Sequence, residues 1–544
     1  MSSDVVPPST GKPSWLRAAS VLLLLAATVL VALGVRLVEF ETVNYWFDET
    51  FSLRMAEFPL PEMITRCTKD THPPLFFLEL KGWTSLFGNA EWPARMLSNL
   101  WSLAAVAVGF GLAYAAVRQD DASLHTHCKA IFAGTVAGLC LALSPIQISW
   151  AQQVRMYASL SCLAILSTWL LWRAVQQHGS LARWLIFGLV ELAGLYTHVT
   201  FLFIFAGHIL AGLAVVFQQR GDRAHVKSLL ARAVPTMFVV GLLAVPWILV
   251  VRGQHSQVHD DFWVKPLDVE LLGQAFVDSF TVRRGESPDS EIGLWIAQGL
   301  LVVLLVLAAG KRPSDLILSI TTVSPFLLLI VVSLMDVNIV NGRYFIAGQA
   351  LACVALGIVV TRLPFWVLRI PLAAGLLLAL GLFARDHLEW RSEVADRDGL
   401  PNLLATWHEH RADGEPLIFS NPMFYTTARI DNGGSDGLKI FRSDDTYYPF
   451  FVGTAITSPE EYITPPELAA ERWQTIWVCD YGNRTRYLQP VILGETWKLI
   501  TESAFKDYSG TFYLRRYDRV PETSLAGRNP KPNPKTDNEP VPEQ

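Results

Sequence analysis

Long apolar stretches separated by short polar ones dominate the first two thirds of the chain. A helix that crosses a bilayer takes about 20 consecutive apolar residues. About eleven stretches approach that length, at 15–38, 92–117, 130–149, 157–175, 182–197, 200–218, 233–251, 293–310, 314–335, 343–361 and 364–384. The fifth and sixth are divided only by YTHV, read as a turn at the membrane surface. The first is read as an uncleaved helix, because its apolar run Ala18–Val35 exceeds the ~7–15 residues of a signal-peptide core and no small-x-small site follows it.

From about Arg385 the pattern changes to short runs of strand composition: PLIF at 416–419, LKIF at 438–441, TIWVC at 475–479, WKLI at 497–500 and TFYLRR at 511–516. Helical stretches lie between some of them, which predicts an α/β domain. The chain therefore reads as a polytopic α-helical membrane protein with a C-terminal soluble α/β domain. The expected boundaries are a cytoplasmic N-terminus at 1–14, a transmembrane domain at 15–385 with a first outer loop at 39–91, an extracytoplasmic α/β domain at 386–520, and a Pro-rich disordered tail at 521–544.

Composition agrees. Of 544 residues, 51% are hydrophobic and only 17% charged, where soluble domains average about 25% charged; the mean hydropathy is +0.32. An ordinary cytosolic enzyme, a disordered chain, a collagen-like chain and a small disulfide scaffold are excluded. A net charge of −5 offers no basic footprint for nucleic acid. Six Cys without a CxxC or Cys/His cluster suggest no metal site, so no cofactor is expected and a divalent cation finds no support.

Lys and Arg in short loops set orientation. Arg118 and Lys129, Arg173 and Arg183, Arg220 to Arg232, Lys311 and Arg312, and Arg362 fall on one side, which should be cytoplasmic. The opposite short loops carry almost no positive charge except Arg155 and Arg343, which topology alone does not explain. On that same opposite side lie Asp48 and Glu49 in YWFDETFSL, His72 in THPPL, Gln152, Gln153, Arg155 and Tyr157 in SWAQQVRMY, Tyr196 and His198, His259 to Asp261 in HDDFW, and Asp336, Arg343 and Tyr344 in MDVNIVNGRYF. Carboxylate, imidazole and guanidinium groups thus converge on one face. An acceptor hydroxyl needs a carboxylate or His within hydrogen-bond reach to take its proton, and a leaving phosphate needs cations, which Arg supplies bidentately. Each group also has a plain reading: Asp48 as a solvated cap, HPPL as a rigid turn, the arginines as snorkelling side chains. Glu191, inside the fifth stretch, is functional by default there, and His208 reads as a hydrogen-bonded core residue.

In order and spacing, FDET, HPPLFFLELKGW, SPIQISWAQQVRMY, Tyr-Thr-His and a late Arg-Tyr resemble glycosyltransferase family 39, the protein O-mannosyltransferase-like family of the C-type glycosyltransferase superfamily, to which the lipid A aminoarabinose transferases are related. The resemblance covers about residues 15–360 and implies a C-type fold with a polyprenyl-phosphate-linked sugar as donor. It implies Asp48 as catalytic base with Glu49 as its catalytic neighbour. It also implies substrate-binding roles for His72, Gln153, Arg155, Tyr157, His198, Arg343 and Tyr344, with His72 in a place that is Lys in aminoarabinose transferases. Relatives often carry Glu where this chain has Gln153, which weakens any two-carboxylate or metal-assisted mechanism. The expected function is an inverting transfer of a sugar to a hydroxyl on a lipid, glycan or protein, with membrane lipid as a further partner, in a multi-pass protein of the bacterial inner membrane. Two alternatives remain: a transporter, which would usually show inverted repeats, and a non-catalytic envelope assembly protein working through its outer domain.

Overall fold

A computed structural model of the chain describes residues 14–119, 121, 123–176, 180–261, 264–281, 290–335, 337–395, 399–482, 488–507 and 510–521. The expected N-terminal segment up to residue 13, Asp336, the tail from 522, and the side chains of His259, Asp260 and Asp261 lie outside the described residues. Two compact units emerge. One runs to Asp396 and includes Pro449–Ile456; the other holds Arg397–Tyr448 and the chain from Thr457.

The first unit is helical. α1 (Ser14–Arg36) leads to three short helices, α2 (Phe47–Glu57), α3 (Leu60–Cys67) and α4 (Leu75–Phe87). Then follow α5 (Glu91–Arg118), α6 (Leu124–Leu143), the short α7 (Pro145–Ala151), α8 (Tyr157–Gln176), α9 (Leu181–Thr197), α10 (Phe201–Gln218) and α11 (Arg223–Asp261). α12 (Val269–Thr281), α13 (Ser290–Ala308), α14 (Pro313–Met335), a 3-10 turn at Gly342–Phe345, α15 (Ile346–Val360) and α16 (Trp366–Ala395) complete it. Among the described residues ten helices are long and apolar enough to cross a membrane, where the sequence pattern predicts eleven. The difference is α9, whose 17 residues reach only about 26 Å at ~1.5 Å per residue. The third predicted stretch, 130–149, is displaced to α6 because local chemistry overrides hydropathy: the Ser123 hydroxyl accepts the Thr126 N–H at 3.1 Å to start the helix, and Pro145 opens α7 after an extended Ser144.

α1, α11, α13 and α16 expose Leu23, Phe238, Trp295 and Val367, the apolar surface a bilayer accepts and water does not. The interior is built on small residues. α6 presents Ala130, Ala133, Gly134, Ala137 and Gly138, all buried, so that α1, α5 and α15 approach it closely. At Gly357 of α15 a Cβ would stand 2.6 Å from the Ala133 carbonyl oxygen. Gly357→Val is therefore expected to cost roughly 1–3 kcal/mol through overpacking, read as a lower Tm in detergent; an unchanged Tm would mean that α6 and α15 are not this close.

A buried cation anchors the start of the first loop. Arg36, fully buried, donates to the Leu141 and Ala142 carbonyls at the end of α6 at 3.1 and 2.9 Å and to Ser102 Oγ at 2.9 Å, satisfying carbonyls that a helix end leaves without partners. Gln152 Nε2 then donates to the carbonyls of Arg36 and Val38 at 3.0 and 2.7 Å. The chain leaving α1 is thereby tied to the turn between α7 and α8.

The second unit is a mixed sheet with helices. Its strands are β1 (Leu417–Phe419), β2 (Leu438–Phe441), β3 (Tyr462–Ile463), β4 (Thr475–Tyr481), β5 (Trp497–Lys506) and β6 (Thr511–Arg519), in the order β3-β2-β1-β4-β6-β5. All five predicted runs are strands; β3, two residues long, has too little pattern to be read. β1 pairs in parallel with β2 and β4, and β6 antiparallel with β4 and β5. Alternation divides the core: Leu417, Phe419, Trp477 and Cys479 pack with Trp407 of α17 (Gly399–His410) and Tyr425 of α18 (Pro422–Asp431), while Ile418, Ile476 and Val478 pack with Leu468 of α19 (Pro465–Ala470).

Candidate active site

Helix ends and turns carry the polar cluster. Asp48 and Glu49 occupy the first turn of α2, where the positive end of the helix dipole favours carboxylates. His72 precedes Pro73 and Pro74, which lead into α4. Arg155 lies in the turn from α7 to α8, its carbonyl accepting from Ser98 Oγ at 3.0 Å. Tyr157 opens α8, and His198 ends α9 in an extended conformation. Arg343 and Tyr344 lie on the 3-10 turn before α15, where the Asn341 side chain accepts the Arg343 N–H at 3.2 Å.

These distant segments meet. Asp48 Oδ2 is 3.3 Å from Arg343 Nη1, across 295 residues of sequence, and 3.9 Å from Arg155 Nε, a charge contact longer than a hydrogen bond. Arg155 Nη1 reaches Ser52 Oγ at 3.3 Å and Nη2 reaches His72 Nε2 at 2.9 Å. Arg343 also bonds the Tyr157 phenol and lies beside the Tyr344 ring, 5.4 Å from its centroid. His198 joins the rings of His72, Tyr157 and Tyr344 at centroid distances of 5.9, 5.2 and 5.9 Å. Its Nδ1 accepts the Thr200 backbone N–H at 3.2 Å, so its proton sits on Nε2. Burial, then the neighbouring Arg155 and Arg343, hold His198 well below the ordinary imidazole range, and the ring is neutral. Exposure is graded: the Asp48 and Arg343 side chains are 19% and 18% exposed, that of Arg155 only 3%. The site thus holds a partly open carboxylate against two guanidinium groups, with aromatic and imidazole rings as one wall.

Three sequence-based candidates occupy other surroundings. Glu49 is 1% exposed; Arg95 grips both its oxygens at 2.9 and 3.0 Å, and the Val154 N–H adds 3.1 Å. Gln153, also buried, places its Nε2 on Ser149 of its own turn, at 2.9 Å from the carbonyl. Glu191, expected to approach the interface near Tyr196, instead pairs with His208 at 2.8 Å, both fully buried, and Thr168 Oγ1 lies 3.0 Å from the other His208 nitrogen. Three residues escaped the sequence reading. Arg95 looks like any helical arginine until Glu49 is seen beside it, and Ser52 carries no signal at all. Asp70, whose Oδ2 is 2.8 Å from His72 Nδ1, was findable from its place two residues before the histidine, a spacing at which Asp bonds its local chain. Among the described residues no group of three or more His, Cys, Asp or Glu is arranged to hold a metal ion.

The sequence model of the family described as dolichyl-phosphate-mannose-protein mannosyltransferase matches residues 71–249. Comparison with curated proteins finds no match. Among solved structures, ArnT from Cupriavidus metallidurans bound to undecaprenyl phosphate is similar at 14% identity and TM-score 0.55, over 90% of this chain and 97% of that one. The apo state of the same protein gives 14% identity and TM-score 0.57, over 92% and 98%. The resemblance carried by the motifs is borne out, and the fold is like that of ArnT, with a C-terminal sheet domain. The chain is an integral membrane protein.

Proposed function

We propose that this protein, built on the C-type glycosyltransferase fold, moves a sugar from a polyprenyl-phosphate donor to a hydroxyl on a lipid, glycan or protein, at the extracytoplasmic face of a bacterial inner membrane. One observation carries the reading: a partly exposed carboxylate, Asp48, stands between the guanidinium groups of Arg155 and Arg343. Asp48 takes the proton of the acceptor hydroxyl as its oxygen bonds the anomeric carbon. The bond from that carbon to the phosphate oxygen breaks, its electron pair leaves with the polyprenyl phosphate, and direct displacement inverts the anomeric centre. A donor diester carries one negative charge and the departing monoester two, so Arg155 and Arg343 gain most where charge develops, as transition-state stabilisation requires. Tyr157 and Tyr344, both beside Arg343, position it, and His198 offers its Nε2–H as a neutral donor. Glu49 is assigned to hold α2 against Arg95 rather than to the chemistry, and Gln153 to its own turn.

Incubation of the purified protein with polyprenyl-phosphate sugars, followed by mass spectrometry of lipids and glycans, tests the reading. Loss of sugar from the donor with its appearance on a hydroxyl acceptor is expected; uptake of a solute with no glycosylated product would overturn it. Arg343→Lys keeps the charge but not the planar fork. A lost charge-assisted bond is worth about 1.5–3 kcal/mol, so transfer should fall by roughly 10- to 100-fold. A variant as active as wild type would remove Arg343 from phosphate binding.

A further inference from the structure

Asp70 takes no part in the chemistry above, yet it is 5% exposed and directed at His72, which touches Arg155. Its Oδ2 receives both the His72 backbone N–H at 3.2 Å and His72 Nδ1 at 2.8 Å. The loop holding it is pinned from α11 by Gln254, whose Nε2 donates to the Thr68 carbonyl at 2.9 Å and to that of Asp70. Burial pushes the Asp70 carboxyl up, but the hydrogen bonds donated to it by His72 and by the Thr71 N–H, with the charge of Arg155, leave the group below the ordinary carboxylate range. Asp70 is therefore ionised and can only accept.

The hydrogen-bond inventory then determines the state of His72. A guanidinium has donors and no acceptor. Arg155 Nη2, 2.9 Å from His72 Nε2, must donate, so Nε2 carries no proton. The ring proton sits on Nδ1 and points at Asp70. The other tautomer would set N–H against N–H at Arg155 and a bare nitrogen against a carboxylate at Asp70. His72 is thus a neutral acceptor that supplies no positive charge. A continuous chain results, from Asp70 through His72 to Arg155 and on to Asp48.

We propose that Asp70 is a positioning residue for the candidate transfer: by locking His72 as an Nδ1–H tautomer it makes Nε2 an obligatory acceptor and so holds the Arg155 guanidinium beside Asp48 and the departing phosphate. This rests on the transferase reading for its consequence, but the dyad itself does not. Partners that orient a charged group from behind are typically worth about 10–100-fold when removed, as for the outer-shell partners of metal ligands.

The test has two arms on the full-length protein in lipid nanodiscs. Nitrogen-15 NMR of labelled histidine, with His72 assigned by its loss in His72→Gln, reads the tautomer without any activity. Wild type should show a protonated Nδ1 and a bare Nε2, and Asp70→Asn should shift the proton toward Nε2. A protonated Nε2 in wild type overturns the proposal, and that measurement suffices if Asp70→Asn does not fold. In the second arm, transfer by Asp70→Asn should fall about 10- to 100-fold in kcat with less than about a threefold change in donor KM, and Asp70→Glu should recover part of it. A shifted tautomer with wild-type kcat overturns the positioning role. If wild-type protein transfers no sugar, the transferase reading fails separately. Retention of undecaprenyl phosphate in native mass spectrometry then decides, with an about tenfold loss in Asp70→Asn supporting the proposal and equal retention overturning it.

Discussion

Asp48→Asn is expected to reduce sugar transfer by about 10²- to 10⁴-fold, the usual worth of a positioned general base, while the protein still folds and inserts. Asparagine has nearly the volume of aspartate and fills the same place in the first turn of α2, but its amide cannot take a proton from the acceptor hydroxyl. The side chain it replaces is 19% exposed, so no buried polar group is stranded. Arg155 and Arg343 keep their charges and lose a competing carboxylate, so undecaprenyl phosphate should bind the variant as well as wild type or more tightly. Loss of turnover with retained lipid binding and an unchanged Tm separates a missing base from a collapsed site. Wild-type turnover in this variant would remove Asp48 from the reaction.

Glu49→Ala is expected to act on folding instead, and strongly. It removes both carboxylate oxygens that hold Arg95, which is 1% exposed and keeps the Phe40 carbonyl at 2.8 Å, and the acceptor of the Val154 N–H. A buried pair broken on one side typically costs about 3–5 kcal/mol, because the remaining charge is left without compensation, whereas replacing both partners by apolar residues of similar volume is often neutral. Glu49→Leu combined with Arg95→Met should therefore recover much of the Tm that Glu49→Ala loses. A single variant as stable as wild type would show that the pair is not what holds α2. If the double variant folds but transfers poorly, Val154 is the reason, since it precedes Arg155 and its displacement moves the guanidinium.

Neighbours in sequence do not explain why Asp48 and Glu49 part company. Both are carboxylates at the start of one helix, and as a motif they read as a catalytic pair. Successive helical residues point about 100° apart, so one faces the open site and the other faces α5. Which faces which depends on where α5 places Arg95, and no local pattern encodes that. His72 follows the same logic. The HPPL motif marks it as special, yet its role as acceptor rather than cation emerges only when Asp70 and Arg155 stand on either side of it. Gln153, read as standing where a second carboxylate would be, keeps its amide on Ser149.

Membrane residence, the turn that divides α9 from α10, the five longer strands and the identity of the site-bearing loops follow from the chain alone, because they depend on local quantities: apolar run length, helix caps, alternation and charge bias. Hydropathy misplaced α6, where a serine cap and a proline outweighed it, and α9, at 17 residues, is one shorter than α10. Only the tertiary structure decided which charges are partners. Asp48 with Arg343, Glu49 with Arg95 and Glu191 with His208 are joined across intervals that no periodicity spans, and with few charges tolerated inside an apolar helical bundle, pairing determines which of them remain available to a substrate.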